Sequence, residues 1–123
     1  MKAQTVQLSF VDDAIFVDGK MNFAESSNVF LKNSAILGMF LAAGQDSQFN
    51  HPRFILLDNI EDKGMEPKRS HLFQRLIVER ATELQLKSQI IFTTSMMNPE
   101  LELDAYVIGP HYTHENRTLK IDD

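Results

Sequence analysis

The sequence predicts an α/β domain around two parallel strands, at 54–58 and 89–94, with flanking helices at about 28–43 and 67–86 and an antiparallel hairpin at each end of the chain. Three observations carry that prediction. Phe54–Ile55–Leu56–Leu57 is an unbroken apolar run that ends in Asp58, and a run without alternation reads as a strand covered on both faces. From Pro67 onward, Leu72, Phe73, Leu76, Ile77, Ala81 and Leu84 recur at helical spacing. Gln89–Ile90–Ile91–Phe92–Thr93–Thr94 is a second apolar run, so strand, helix and strand form a right-handed crossover between parallel neighbours. Asp58 then emerges at the carboxyl end of its strand, beside Thr94–Ser95–Met96, where open α/β sheets hold ligands.

Composition narrows the class. At 123 residues the chain predicts one domain, and 43% hydrophobic with 24% charged residues is ordinary for a globular protein. A net charge of −5 offers no basic footprint for direct DNA binding. The absence of cysteine excludes disulfides, thiolate catalysis and thiolate metal sites. The longest apolar stretch, Ala35 to Ala43, is too short for a membrane span, and the N-terminus lacks a signal-peptide layout. The expectation is a cytoplasmic protein with no membrane partner, and no repeat or linker interrupts the chain.

Taken in order, Thr5 to Val11 alternates, Asp12–Asp13 interrupts, and Ala14–Ile15–Phe16–Val17 resumes before Asp18–Gly19, the pattern of a hairpin. Ser26, Ser27 and Asn28 are good N-cap residues ahead of a segment apolar on nearly every face, which predicts a buried helix. Gly38 in its middle predicts a close approach by another backbone. Gly44 to Arg53 reads as a surface connection. Pro67 suits the first turn of the next helix, whose other side, with Lys68, Arg69, Arg75, Glu79, Arg80 and Glu83, reads as a solvated face. Asn98–Pro99 breaks the chain, and Ala105–Tyr106–Val107–Ile108 with Thr118–Leu119–Lys120–Ile121 predicts a closing hairpin.

An acid at the end of a buried strand orients a metal-bound water without swinging away, which is how P-loop nucleoside triphosphatases use it. Here a polar helix start, Phe23–Ala24–Glu25–Ser26–Ser27–Asn28, precedes the strand. An acidic loop, Glu61–Asp62–Lys63–Gly64–Met65–Glu66, follows it, and the parallel strand ends in Thr93–Thr94–Ser95. In that order the chain resembles the carboxyl-terminal lobe of ATP-binding-cassette ATPases of the SMC/RecN type. The helix start is similar to a degenerate signature motif, Phe54 to Asp58 to the Walker B strand, the acidic loop to the D-loop, and 90–95 to the strand entering the switch loop.

The resemblance implies a three-layer-like P-loop lobe in which Asp58 binds Mg2+ and Ser26, Ser27 and Asn28 contact the triphosphate of ATP. It also implies a homodimer through the nucleotide site and a role in DNA repair, chromosome maintenance or defence, with DNA reached only through a full-length protein. The departures are specific. Asn59 stands where the family places its catalytic glutamate, so Glu61 or Asp62 is expected to take that role, and Ser95 stands at the switch histidine. No G-x-x-x-x-G-K-[ST] loop occurs, so most triphosphate contacts must come from a Walker A-bearing N-terminal lobe in cis or in trans. A degenerate, non-catalytic lobe that dimerises or scaffolds is the alternative. His111–Tyr112–Thr113–His114 has two histidines three apart without a third ligand in register and reads as a polar loop. Met39, Met96 and Met97 read as packing.

Overall fold

The protein is described by a computed structural model covering residues 3–21, 23–61, 64–110, 112 and 115. The chain runs β1 (Val6–Ser9), β2 (Ala14–Val17), α1 (Glu25–Gln45), β3 (Phe54–Leu57), α2 (Pro67–Thr82), β4 (Gln89–Phe92) and a 3₁₀ turn, η1 (Pro99–Leu101). The mixed α/β class holds. The strands form two separate two-stranded sheets, antiparallel β1–β2 and parallel β3–β4. No helix among the described residues is long and apolar enough to cross a membrane.

The hairpin pairs Val6 with Val17 and Ser9 with Ala14, as its alternation requires. Asp18 closes it from the far end: its Oδ1 accepts from the backbone N–H groups of Gln4 and Thr5, each at 2.9 Å, and from the Thr5 hydroxyl at 3.3 Å. Those donors, the Thr5 N–H foremost, hold the Asp18 carboxyl below the usual aspartate value. The hairpin meets α1 through an exposed ion pair, Lys32 to Asp13 at 3.1 Å, a contact of little energetic weight.

The core lies between the helices and one face of β3–β4. Leu37 and Phe40 of α1, Ile55 and Leu57 of β3, Ile60, and Phe73 and Ile77 of α2 form one buried cluster. Phe30 meets the Phe73 ring edge-on at 5.3 Å where the two helices touch. The register is parallel, with Phe54 opposite Gln89 and Leu57 opposite Phe92. Arg53 ends α1 from outside, its guanidinium donating to the Ala43 carbonyl at 2.7 Å and to that of Ser47 at 3.3 Å, so a cation sits at the negative end of the helix dipole.

Several expectations change. The β3 run is not covered on both faces: Phe54 is 46% and Leu56 57% exposed, and Ile91 of β4 is 40% exposed beside them. Both helices pack on the opposite face, so the described residues make two layers and not three. Four apolar residues in a row signal burial by composition, but a strand still alternates its side chains, and here only the Ile55 and Leu57 side is met by helices. The apolar face of α2 is also rotated: Ser70, Phe73, Gln74 and Ile77 are buried, whereas Leu72 and Leu76 are exposed. The solvated face of α2 is as expected, with Arg75 paired to Glu100 and Arg80 to Glu83.

The expected N-cap is also displaced. Helix α1 begins at Glu25 with Ala24 as N-cap and no side-chain cap, so Ser26, Ser27 and Asn28 lie inside its first turn. Ser27 and Asn28 donate their backbone N–H groups to the Ala24 carbonyl at 2.9 and 3.0 Å. Pro67 does open α2. In the expected closing hairpin, 105–108 is not a strand: Tyr106 and Val107 both donate to the Leu103 carbonyl, at 2.8 and 2.9 Å, which winds the segment into a turn. The other arm, 118–121, lies outside the described residues. Gly38 meets no neighbour where a Cβ would stand, so no backbone approach explains it. Gly44 is the packed one, its Cβ position lying 2.7 Å from a Leu84 methyl.

Gly38→Ala should therefore raise stability by about 0.5–1 kcal/mol in urea unfolding. Gly44→Ala should not give that gain, because Leu84 must shift from the core. An equal gain at both positions would contradict this packing. The lowered Asp18 value sets a pH dependence: the folded carboxyl is more acidic than the unfolded one. Its stabilisation is thus present above the unfolded value of about 3.9 and is lost as pH falls through the folded value. Asp18→Asn should remove that acid-side loss, read from the hairpin amides by NMR titration.

Candidate functional site

The carboxyl ends of β3 and β4 meet in a turn and a loop that are tied at every step. Beyond the ladder, Thr93 donates its N–H to the Leu57 carbonyl at 3.0 Å and accepts the Ile60 N–H at 3.2 Å. Its hydroxyl donates to Asp58 Oδ1 at 2.6 Å and accepts the Asn59 N–H at 2.7 Å. The Asn33 amide of α1 donates to the Ile60 carbonyl at 3.3 Å, and the Ile60 side chain is fully buried. Asp58 is thus presented, exposed, on a pinned backbone, next to the Thr93–Ser95 segment as the parallel topology requires.

Asn59 follows Asp58 with φ 51°, in the left-handed region where L-residues other than Asn, Asp and Gly are disfavoured. The turn reverses there so that Ile60 can re-enter the core and Glu61 can face Ser95. An asparagine next to the strand acid therefore has a local conformational reason.

Glu61 is only 4% exposed. Its Oε1 accepts both the N–H and the hydroxyl of Ser95, the latter at 2.8 Å. Its Oε2 is buried with no hydrogen-bond partner among the described residues. The side chains after β4 alternate in direction. Thr93 and Ser95 reach the 58–61 turn, while the Thr94 hydroxyl accepts from Gln74 of α2 at 3.4 Å. Gln74, fully buried, also donates to Ser70 Oγ at 3.0 Å and to the Met96 carbonyl at 2.8 Å, and accepts the Asn98 N–H at 2.8 Å. Asn98 donates in turn to the His71 carbonyl at 3.3 Å. The 93–98 loop is clamped on one side by Glu61 and on the other by Gln74.

Of the residues singled out from sequence, Asp58, Glu61 and Ser95 are brought to one end of the parallel pair. Asp62 and His111 lie outside the described residues. Ser26, Ser27 and Asn28 occupy the start of α1, where their hydrogen bonds stay within that helix start, as in Asn28 Nδ2 to the Phe23 carbonyl at 3.3 Å. From sequence, Thr93 stands out only as the polar end of its strand and Asn98 only as a chain break, and Gln74, Ser70 and Asn33 carry no functional expectation. Ser70 and Gln74 are polar residues at the helical spacing of Phe73 and Ile77, and that interruption of an apolar stripe is the one signal that marks them.

Mg2+ binds through one or two carboxylates and retains several waters, and the exposed Asp58 carboxylate is a donor of that kind. Asp58 Oδ2 accepts no hydrogen bond among the described residues, whereas Glu61 Oε2, also without a partner among them, is buried away from solvent. No group of three or more His, Cys, Asp or Glu side chains suited to a metal occurs among the described residues, so the remaining ligands would be water or a bound phosphate.

Asn59→Gly should change stability by no more than about 0.5 kcal/mol, whereas Asn59→Glu should cost roughly 1 kcal/mol by forcing a longer side chain into the left-handed region. Gln74→Ala should cost about 1–3 kcal/mol by leaving the Asn98 N–H and the Met96 carbonyl unpaired. Urea unfolding monitored by circular dichroism measures all three, and a neutral Asn59→Glu would refute the conformational account of Asn59.

No protein-family model, no curated protein and no solved structure matches the chain.

Proposed function

We propose that this chain is the carboxyl-terminal lobe of an ATPase of the SMC/RecN type, contributing one wall of a composite ATP–Mg2+ site. The observation that supports it best is the pairing of an anchored acid with an unfinished sheet. Asp58 projects from a pinned turn at the carboxyl end of β3, while the apolar outer face of that sheet, with Phe54, Leu56 and Ile91, is left open. Parallel strands are ordinarily covered on both faces, so a completing lobe is the natural occupant of that side.

In this reading Asp58 orients the magnesium shell. Thr93 holds Asp58 in place, and the Glu61–Ser95 pair fixes the loop at the switch position. ATP's phosphates are gripped mainly by the Walker A lobe. A magnesium ion held there by Asp58 would supply charge neutralisation for phosphoryl transfer. Glu61 keeps Oε2 free of hydrogen bonds among the described residues while Oε1 holds Ser95, so Oε2 is the oxygen that would take a proton from water once the completing lobe brings water to it, and Asp62 is the alternative base. The dimeric assembly and the DNA-linked role belong to the same proposal.

A second reading, a lobe that assembles without hydrolysis, is favoured by Asn59, whose amide cannot act as a base and whose left-handed backbone suits it there.

Co-expression with a Walker A-bearing lobe from the same or the adjacent reading frame should give Mg2+-dependent ATP turnover that falls on the order of 100-fold in Asp58→Ala. Turnover unchanged in both Asp58→Ala and Glu61→Gln would sink the catalytic assignment. A stable complex without turnover would favour the scaffold reading. The chain alone should show little heat with ATP in calorimetry, and submicromolar binding would overturn the half-site.

A further inference from the structure

The tip of the β1–β2 hairpin is apolar and acidic at once. Phe10 and Val11 are 82% and 97% exposed, Asp12 and Asp13 follow them directly, and Val6 and Leu8 continue the exposed apolar surface down one face of β1. The turn is a built one: the Ser9 hydroxyl donates to Asp12 Oδ2 at 2.7 Å and accepts the Asp12 N–H at 3.2 Å, while Asp13 takes a left-handed φ of 46° and pairs with Lys32 of α1. A contiguous apolar surface held out in this way marks a contact site. The two acids disfavour an anionic lipid surface and call for a cationic partner.

A cleft between α2 and η1 has the complementary character, lined by Lys68, His71, Leu72, Arg75, Pro99 and Glu100. Leu72 and Pro99 give it exposed apolar surface, and Lys68 and Arg75 against the single acid Glu100 leave it positive in a chain of net charge −5. Arg75 is held by Glu100, whereas Lys68 has no ion-pair partner among the described residues. The walls are fixed, because Asn98 donates its side-chain amide to the His71 carbonyl at 3.3 Å and its N–H to Gln74 Oε1 at 2.8 Å, so little order is lost on binding.

We infer that this cleft receives the Phe10–Asp13 tip of a second copy of the chain, with Phe10 seated on Leu72 and Pro99 and Asp12 facing Lys68. Every copy carries both tip and cleft, so two copies that exchange tips form a closed dimer. Contacts built on four-residue tips fall below the roughly 1,200 Å2 of total buried surface typical of stable complexes, so the association is weak and depends on protein concentration. The contact uses neither Asp58 nor Glu61 and is separate from the dimer through the nucleotide site.

Sedimentation velocity of the full chain without nucleotide, from micromolar to millimolar concentration, should show a monomer–dimer equilibrium. Amides of residues 9–13, 68–75 and 100 should shift with concentration in NMR spectra of the labelled chain. Phe10→Ser and Leu72→Ser, both at exposed positions, should each weaken the dimer about tenfold or more. Phe10→Ser keeps an intact cleft and Leu72→Ser an intact tip, so an equimolar mixture of the two should associate more tightly than either alone. Lys68→Glu, at an exposed charge, should weaken the dimer without touching the apolar contact, and it decides if either serine variant fails to fold. A monomer at millimolar concentration, a dimer that ignores these variants, no recovery in the mixture, or shifts confined to the open face of Phe54, Leu56 and Ile91 would each overturn the contact. Because neither ATP nor a second lobe takes part, such a result leaves the turnover experiment to judge the ATPase reading independently.

Discussion

The parallel register that sets Leu57 opposite Phe92 is the constraint on which the other features of this protein depend. It brings Thr93 alongside Asp58, so that a single threonine satisfies the strand acid, the Asn59 N–H, the Leu57 carbonyl and the Ile60 N–H. Slipping the pair by one residue would reverse which side chains face the helices. Ile55 and Leu57 would leave the core, and the 58–61 turn would lose its anchor. The hydrophobic cluster and the polar site are therefore two consequences of one alignment.

Polar burial in this domain is concentrated around the loop that follows β4. Among the described residues, Glu61, Ser70, Gln74 and Asn98 are the buried polar side chains, and their bonds converge on residues 94–98 or on the elements beside them. Buried polar groups stabilise little over an apolar core of the same shape, but they penalise every alternative arrangement that leaves them unpaired. A loop held this way has one position. Among the described residues the exception is the second oxygen of Glu61, which is buried without a partner.

The open face of β3–β4 and the exposed Leu72 and Leu76 of α2 show how an apolar pattern can mislead. Apolar runs report which segments carry hydrophobic side chains, not which of those side chains the fold covers. Thus the strand positions 54–57 and 89–92 were legible from composition, while the two-layer arrangement, with one face of the parallel pair left open, was not. The serines at the start of α1 carry the same lesson for polar residues. Ser26, Ser27 and Asn28 have the chemistry of caps, yet Ala24, with φ −57° and ψ 148°, holds the N-cap position and the three lie inside the first turn.

By itself the sequence determined the local features: the hairpin alternation of 6–17, the start of α2 at Pro67, the two apolar strands and the acid that follows the first. These depend on residues within a few positions of one another, through side-chain period, fixed proline geometry and turn chemistry. Tertiary structure alone decided that Glu61 is buried against Ser95, that Gln74 enters the core where Leu72 does not, that Asn59 takes a left-handed backbone, and that one face of the sheet stays open. Those outcomes depend on the rotation of α2 about its axis and on the register between strands more than thirty residues apart. No local pattern encodes either quantity, because each is set by how the assembled surfaces fit.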